Sequence, residues 1–98
     1  MTNNLDSKQY KLIRQLEWFR KKGDDTLVGE ETLNKLSLDL IKRLLEIGDE
    51  NDPELIYDYL IPEDKIMGLQ PYINHQIDPK KYQYFYACSA ENYTEEKN

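Results

Sequence analysis

"YKLIRQLEWFRKKGDDTLVGEET", residues 10–32, decides the fold. Over Tyr10–Arg20 the chain alternates, with Leu12, Leu16 and Trp18 pointing one way and Ile13, Gln15, Glu17 and Phe19 the other. A period of two places the first set on a buried face of a strand and the second on its opposite face. "KKGDD" concentrates glycine and charge as a hairpin loop does, and "TLVGEET" resumes an extended run. Gly29 inside that run signals a β-bulge or a close backbone approach. The chain therefore opens with a β-hairpin.

Downstream, the period changes from two to between three and four. Leu36, Leu40, Leu44 and Ile47 follow helical spacing, Ser37 stands where an N-cap belongs, Asp39 falls in the first turn and Gly48 at a C-terminal cap. An amphipathic helix over residues 38–47 follows. "GDENDPE" (Gly48–Glu54) breaks it. "LIYDYLI" then returns to alternation, with Leu55, Tyr57, Tyr59 and Ile61 on one side and Ile56, Asp58 and Leu60 on the other, which predicts a third strand. "PEDKIMGLQ" predicts a turn or two of helix opened by Pro62 and stopped by Pro71. The last strand is "KYQYFYACSA", with Tyr82, Tyr84, Tyr86 and Cys88 on one face and Gln83, Phe85 and Ala87 on the other. These elements make an α+β domain: a roughly four-stranded antiparallel sheet with one main helix on one face and a short helical turn before the last strand. The domain should occupy residues 10–90, after a flexible N-terminal extension over 1–9 and before an acidic tail over 91–98.

Ninety-eight residues suffice for one domain with a thin core. No stretch approaches the ~20 apolar residues of a membrane span, and "MTNNLDSKQ" lacks the pattern of a secretory signal, so a cytoplasmic location is expected. A single cysteine, Cys88, rules out an internal disulfide and a thiolate metal cluster; it reads as a small buried side chain. No cofactor or metal is expected.

Charge narrows the partners. The chain has 19 acidic side chains against 13 Lys and Arg, for a net charge of −6. Residues 1–22 carry +4 and the remainder −10. Such a field repels nucleic acid and anionic membrane and speeds encounter with a basic partner. Eight tyrosines suggest base stacking, but stacking platforms sit in basic grooves, and here the tyrosines lie among Asp52, Glu54, Asp58, Glu63 and Asp64. They read as core residues with satisfied hydroxyls.

If the helix covers Leu16, Trp18, Tyr57, Tyr59, Tyr84 and Tyr86, the open face presents Glu17, Phe19, Ile56, Asp58, Gln83 and Phe85, with the second-strand edge near Leu27 and Glu30. Aromatic groups inside a polar rim have the anatomy of a protein-binding surface. Phe19 and Phe85 also sit where two rings on neighbouring strands pack on each other.

"LQPYINHQID" (residues 69–78) holds the only histidine, His75, beside Asp78. General-base chemistry needs an orienting group and a reactant within reach, and adjacency in sequence supplies neither. Followed by "YQYFYACS" (82–89), this stretch resembles the C-terminal half of the cloacin immunity proteins, inhibitors of rRNA-cleaving colicins and cloacins. "LEWFRKKGDDTLVGEE" (16–31) is similar to that family's first hairpin and "IYDY" (56–59) to its third strand. The resemblance runs in register over roughly residues 11–90, and departs from the family in a longer helix and an N-terminal extension. It implies a four-stranded sheet with a helix on one face and a basic ribonuclease domain held by the other, in a 1:1 heterodimer. It puts apolar anchors on Phe19, Leu27 and Phe85, an acidic contact on Glu30 and a discriminating position on Ile56. His75 and Asp78 become parts of a structural loop, so no catalytic residue is expected. The expected function is inhibition of a bacteriocin or contact-dependent inhibition toxin, without enzymatic activity, direct nucleic-acid binding or membrane association. The alternatives are an acidic adaptor for a non-nuclease partner and a small enzyme using His75 with Asp78 or Glu63.

Overall fold

The computed structural model describes residues 10–23 and 26–92. The proposed extension over 1–9 and residues 93–98 of the proposed tail lie outside the described residues. The fold is α+β. Strands β1 (Tyr10–Arg20), β2 (Leu27–Thr32), β3 (Tyr59–Leu60) and β4 (Tyr82–Asn92) form one antiparallel sheet in the order β2-β1-β4-β3. Helix α1 (Leu38–Leu45) follows the hairpin; a short helix α2 (Glu63–Ile66) runs directly into a 3-10 helix (Met67–Tyr72) before β4. Among the described residues no helix is long and apolar enough to cross a membrane.

The two central strands pair along their full length, Tyr10 opposite Asn92 through Arg20 opposite Tyr82. Alternation then sorts most of their side chains as the sequence predicts, although Leu12, expected with Leu16 and Trp18 on the buried face, is 37% exposed. Leu16, Trp18, Tyr84 and Tyr86 are buried and join Leu33, Leu36, Ile41, Leu45, Leu55, Ile61, Ile66, Leu69, Ile73 and Ile77 in one core. α1, α2 and the 3-10 helix close that side, with α1 packed on the other two. All helices lie on one face, so the opposite face of the sheet stays open.

β1 and β2 show a register shift between Trp18 and Phe19: Trp18 pairs with Gly29, but Phe19 pairs with Leu27, so Val28 is the extra residue of a bulge. Gly29 answers both sequence readings at once. A Cβ built there would lie 2.5 Å from Trp18 Cζ2 and 2.8 Å from its Nε1, so the indole occupies the space any larger residue would need.

Four sequence expectations are corrected. β4 extends through Asn92, so the acidic tail begins later than residue 91. α1 ends at Leu45 rather than 47, because Glu46 takes the left-handed conformation (φ 52) and its N–H returns to the Lys42 carbonyl; Gly48 (φ 90) belongs to the following loop. Ser37 caps the N-terminus as expected, its hydroxyl accepting from the Leu40 N–H at 3.1 Å. Pro71 lies inside the 3-10 helix instead of stopping it. The third strand shrinks to Tyr59–Leu60, and Tyr57, expected under the helix, is 60% exposed.

The physical reason for that last change is Asp52, which is buried. Its carboxylate accepts from the Ile56 N–H (2.8 Å), the Tyr57 N–H (3.2 Å) and the Tyr59 hydroxyl (2.6 Å). The Tyr57 N–H, which a longer strand would turn to the β4 ladder, and the neighbouring Ile56 N–H are thereby held in a loop by a side chain, a competition typical of aspartate in loops. Leu55, at φ 53, turns its carbonyl to the Tyr86 hydroxyl at 2.6 Å. Burial opposes ionisation of Asp52, but the Tyr59 hydroxyl and the Ile56 and Tyr57 N–H groups outweigh it and hold the carboxyl below its ordinary value. The same bond, with burial, pushes the Tyr59 phenol up to about 12.

Candidate functional site: the open face of the sheet

A buried polar scaffold lies beneath the open face. The His75 imidazole stacks on the Trp18 indole, ring centroids 3.7 Å apart and planes 14° from parallel. Its Nε2 lies 2.8 Å from the Tyr84 hydroxyl, which also accepts from the Asp78 N–H at 2.8 Å. The donor and acceptor roles in the Nε2–hydroxyl contact follow the imidazole tautomer. Burial disfavours the charged imidazole and lowers the His75 pKa, against the opposing charges of Glu31 and Asp78. Glu31, on β2, reaches across to accept from the Asn74 N–H (2.6 Å) and the His75 N–H (2.9 Å). Gln70 completes the loop, donating to the His75 carbonyl at 2.8 Å and accepting from the Ile77 N–H at 2.9 Å.

The family resemblance implies that His75 and Asp78 belong to a structural loop, where such side chains bond to backbone. Asp78 follows that pattern, accepting from the Lys80 N–H at 3.2 Å. His75 differs: its ring serves Trp18 and Tyr84, and its backbone is what a carboxylate from another strand holds. Among the described residues no three His, Cys, Asp or Glu side chains gather as a metal site. Cys88, expected to be buried, is half-buried at the core margin, and burial pushes its thiol up.

On the open face, Phe19 and Phe85 meet edge to face with centroids 5.5 Å apart, and each remains half-exposed. Packing on a neighbour and presentation to solvent coexist here. Glu17, Phe19, Asp58, Gln83 and Phe85, with Arg20, line a shallow groove of about 300 Å³. The bulge decides the second-strand edge: by making Leu27 rather than Val28 the partner of Phe19, it puts Leu27 on the same face, 42% exposed. Glu30 stands opposite Glu17 in the ladder. Ile56 is exposed, but on the loop that Asp52 holds rather than on a strand, so of the eight predicted residues it is the one that neither the sheet nor the groove takes in.

Two residues that the prediction omits complete the surface. Leu60 pairs with Phe85 and is 52% exposed, so Leu27, Phe19, Phe85 and Leu60 form an apolar stripe crossing all four strands. Its place was legible, since Leu60 alternates with Ile56 and Asp58 in sequence. Arg20 alternates with the buried set and reaches the groove only because β1 ends there.

The acids carry a structural cost. Like charges opposite each other across a ladder destabilise a sheet. Here the Gln15 amide donates to both Glu17 Oε2 and Glu30 Oε1, each at 3.0 Å, which moderates the repulsion without cancelling the charge. Two carboxylates are thus held side by side next to a half-buried aromatic pair.

Compared with known protein families, residues 13–87 match a domain of unknown function, DUF7683. The chain belongs to this family. The DUF7683 match takes in every residue of the open face described above, the Asp52 loop and the Trp18–His75 scaffold. No curated protein and no solved structure matches the chain.

Proposed function

We propose that this protein is an immunity-type inhibitor, which binds the basic cytotoxic ribonuclease domain of a bacteriocin or contact-dependent inhibition toxin in the cytoplasm, as a 1:1 complex. It performs no chemistry of its own. The observation that carries this reading is the juxtaposition of a half-exposed Phe19–Phe85 pair with the facing carboxylates Glu17 and Glu30 on the sheet face that no helix covers. A fold gains nothing by holding two acids opposite each other. A cationic partner relieves their repulsion and gains two charge-assisted contacts in the same step. Long-range attraction speeds capture, and the two rings and Leu27, once desolvated, slow release. The resemblance of both hairpin and "LQPYINHQID" to the cloacin immunity proteins points the same way.

The test is co-expression with the product of a neighbouring reading frame that kills cells when expressed alone. The wild-type protein should restore growth and bind the purified toxin domain. Phe85→Ala should weaken that complex by about 2 kcal/mol or more while staying folded. Trp18→Ala should instead lose the fold. A folded Phe85→Ala variant with undiminished affinity would remove the open face as the binding surface, and a non-nuclease partner held by the same face would make the protein an adaptor.

A further inference from the structure

The groove does not end at Arg20. That side chain also walls a second hollow of about 380 Å³, whose other lining residues are Lys21, Lys22, Lys80 and Lys81. The β1–β4 ladder builds this cluster from two distant parts of the chain: Arg20 pairs with Tyr82, and the Lys21 N–H donates to the Lys81 carbonyl at 3.2 Å. Among the described residues the acids bonded to it are Glu63, which takes Lys21 in an ion pair, and Asp78, which accepts from the Lys80 N–H. Among the described residues Arg20, Lys22, Lys80 and Lys81 make no ion pair, and Lys81 has only the Tyr82 ring, 5.5 Å from its ammonium. A chain of net charge −6 thus gathers five cations at the end of the central strands, next to the groove that Arg20 also lines.

Resting on the reading of the open face as a binding surface, we propose that it is polarised. It fits a protein partner that is cationic opposite Glu17, Glu30 and Asp58, apolar opposite the Phe19–Phe85 stripe, and carboxylate-bearing opposite Arg20, Lys22, Lys80 and Lys81. The three zones are contiguous, because Arg20 borders both hollows and Glu17, Phe19, Asp58 and Phe85 border the first. A partner with one sign of charge would be repelled at one end or the other. A polyphosphate chain crossing the face would run from the lysines directly onto Glu17 and Asp58, so nucleic acid is the poorer occupant. Opposed charge at two ends fixes the direction in which the partner docks, which is specificity more than affinity.

Amide chemical shifts test the polarity without a toxin. At low salt, hexaglutamate should move Arg20–Lys22 and Lys80–Tyr82 and leave Glu30 in place, while hexaarginine should move Gln15–Glu17, Glu30 and Asp58. The pair Lys80→Glu and Lys81→Glu, both exposed, should abolish the first response and keep the second. Absence of a hexaglutamate response at the lysines overturns the proposal, as does hexauridylate binding there ten-fold or more tighter than hexaglutamate. With the toxin domain, the double lysine variant should lose about ten-fold or more in affinity. If that variant binds more tightly while Phe85→Ala binds more weakly, the binding face stands and its polarity falls.

Discussion

Gly29→Ala puts the packing beneath the open face to a direct test. Gly29 has no positive φ, so its backbone suits any residue and the substitution acts through space alone. The added methyl would meet the Trp18 indole at 2.5, 2.6 and 2.8 Å, where ordinary carbon contacts need well over 3 Å. The indole has little room to withdraw, because the His75 ring is stacked on it at 3.7 Å and Tyr84 lies 6.1 Å away, itself bonded to His75. Overpacking of this kind costs about 1–3 kcal/mol. For a domain of this size, 2 kcal/mol lowers the melting temperature by roughly 8–16 °C. Gly68→Ala is the control, since a methyl there meets only Leu44 Cδ2 at an ordinary 3.7 Å; it should melt within a few degrees of wild type. Trp18→Phe removes the colliding atoms. In a double-mutant cycle it should therefore recover about 1 kcal/mol or more of the Gly29→Ala loss, read by urea denaturation. A Gly29→Ala protein that melts like wild type, or a cycle with no coupling, would refute the account of why glycine stands there.

Other outcomes follow from the same structure. Glu30→Gln removes one of two facing carboxylates, so it should raise the stability of the free domain by about 0.2–1 kcal/mol while weakening toxin binding; a variant that loses stability would show that the pair is not repulsive. His75 keeps a lowered pKa when folded, so the unfolded chain takes up its proton first as pH falls. Stability should thus be level above pH ~6.5 and decline below it, and His75→Gln should flatten that decline in pH-dependent urea titrations. Asp52, also lowered, adds a second loss only below its ordinary value of 3.8. Asp52→Asn keeps the size but replaces one of the two accepting oxygens by a donor, so one of the Ile56 and Tyr57 N–H groups loses its acceptor and hydrogen exchange should quicken in that loop while Leu16 and Tyr84 stay protected; equal protection at all four would contradict the Asp52 cradle.

Much of the candidate site was legible because it depends on alternation. Once Trp18 and Tyr84 are assigned to the core, Glu17, Phe19, Gln83 and Phe85 must point away from it, whatever the partner strands do. Leu27 was not decided in this way. A perfect hairpin ladder would have set Val28 against Phe19, and only the bulge at Gly29's neighbour exchanged them. Ile56 and Asp58 were assigned to a strand on alternation, but the buried Asp52 holds the Ile56 and Tyr57 N–H groups in a loop instead. Aspartate in "GDENDPE" looks the same in sequence whether it ends a helix in solvent or organises a loop from within the core.

What the sequence determined alone was the set of local periods: strand, hairpin, helix, strand, and which half of each strand's residues faces inward. Those follow from side-chain direction and burial, which act over a few residues. Tertiary structure alone decided the strand order, the pairing of Glu17 with Glu30, the Trp18–His75 stack and the meeting of Lys21 with Lys81. Each of these joins residues far apart in the chain, and no local preference records such a distance. The charge pattern illustrates the difference. In sequence it is a basic start and an acidic remainder, whereas in space it becomes two poles flanking one apolar stripe, because an antiparallel ladder lays the end of β1 beside the beginning of β4.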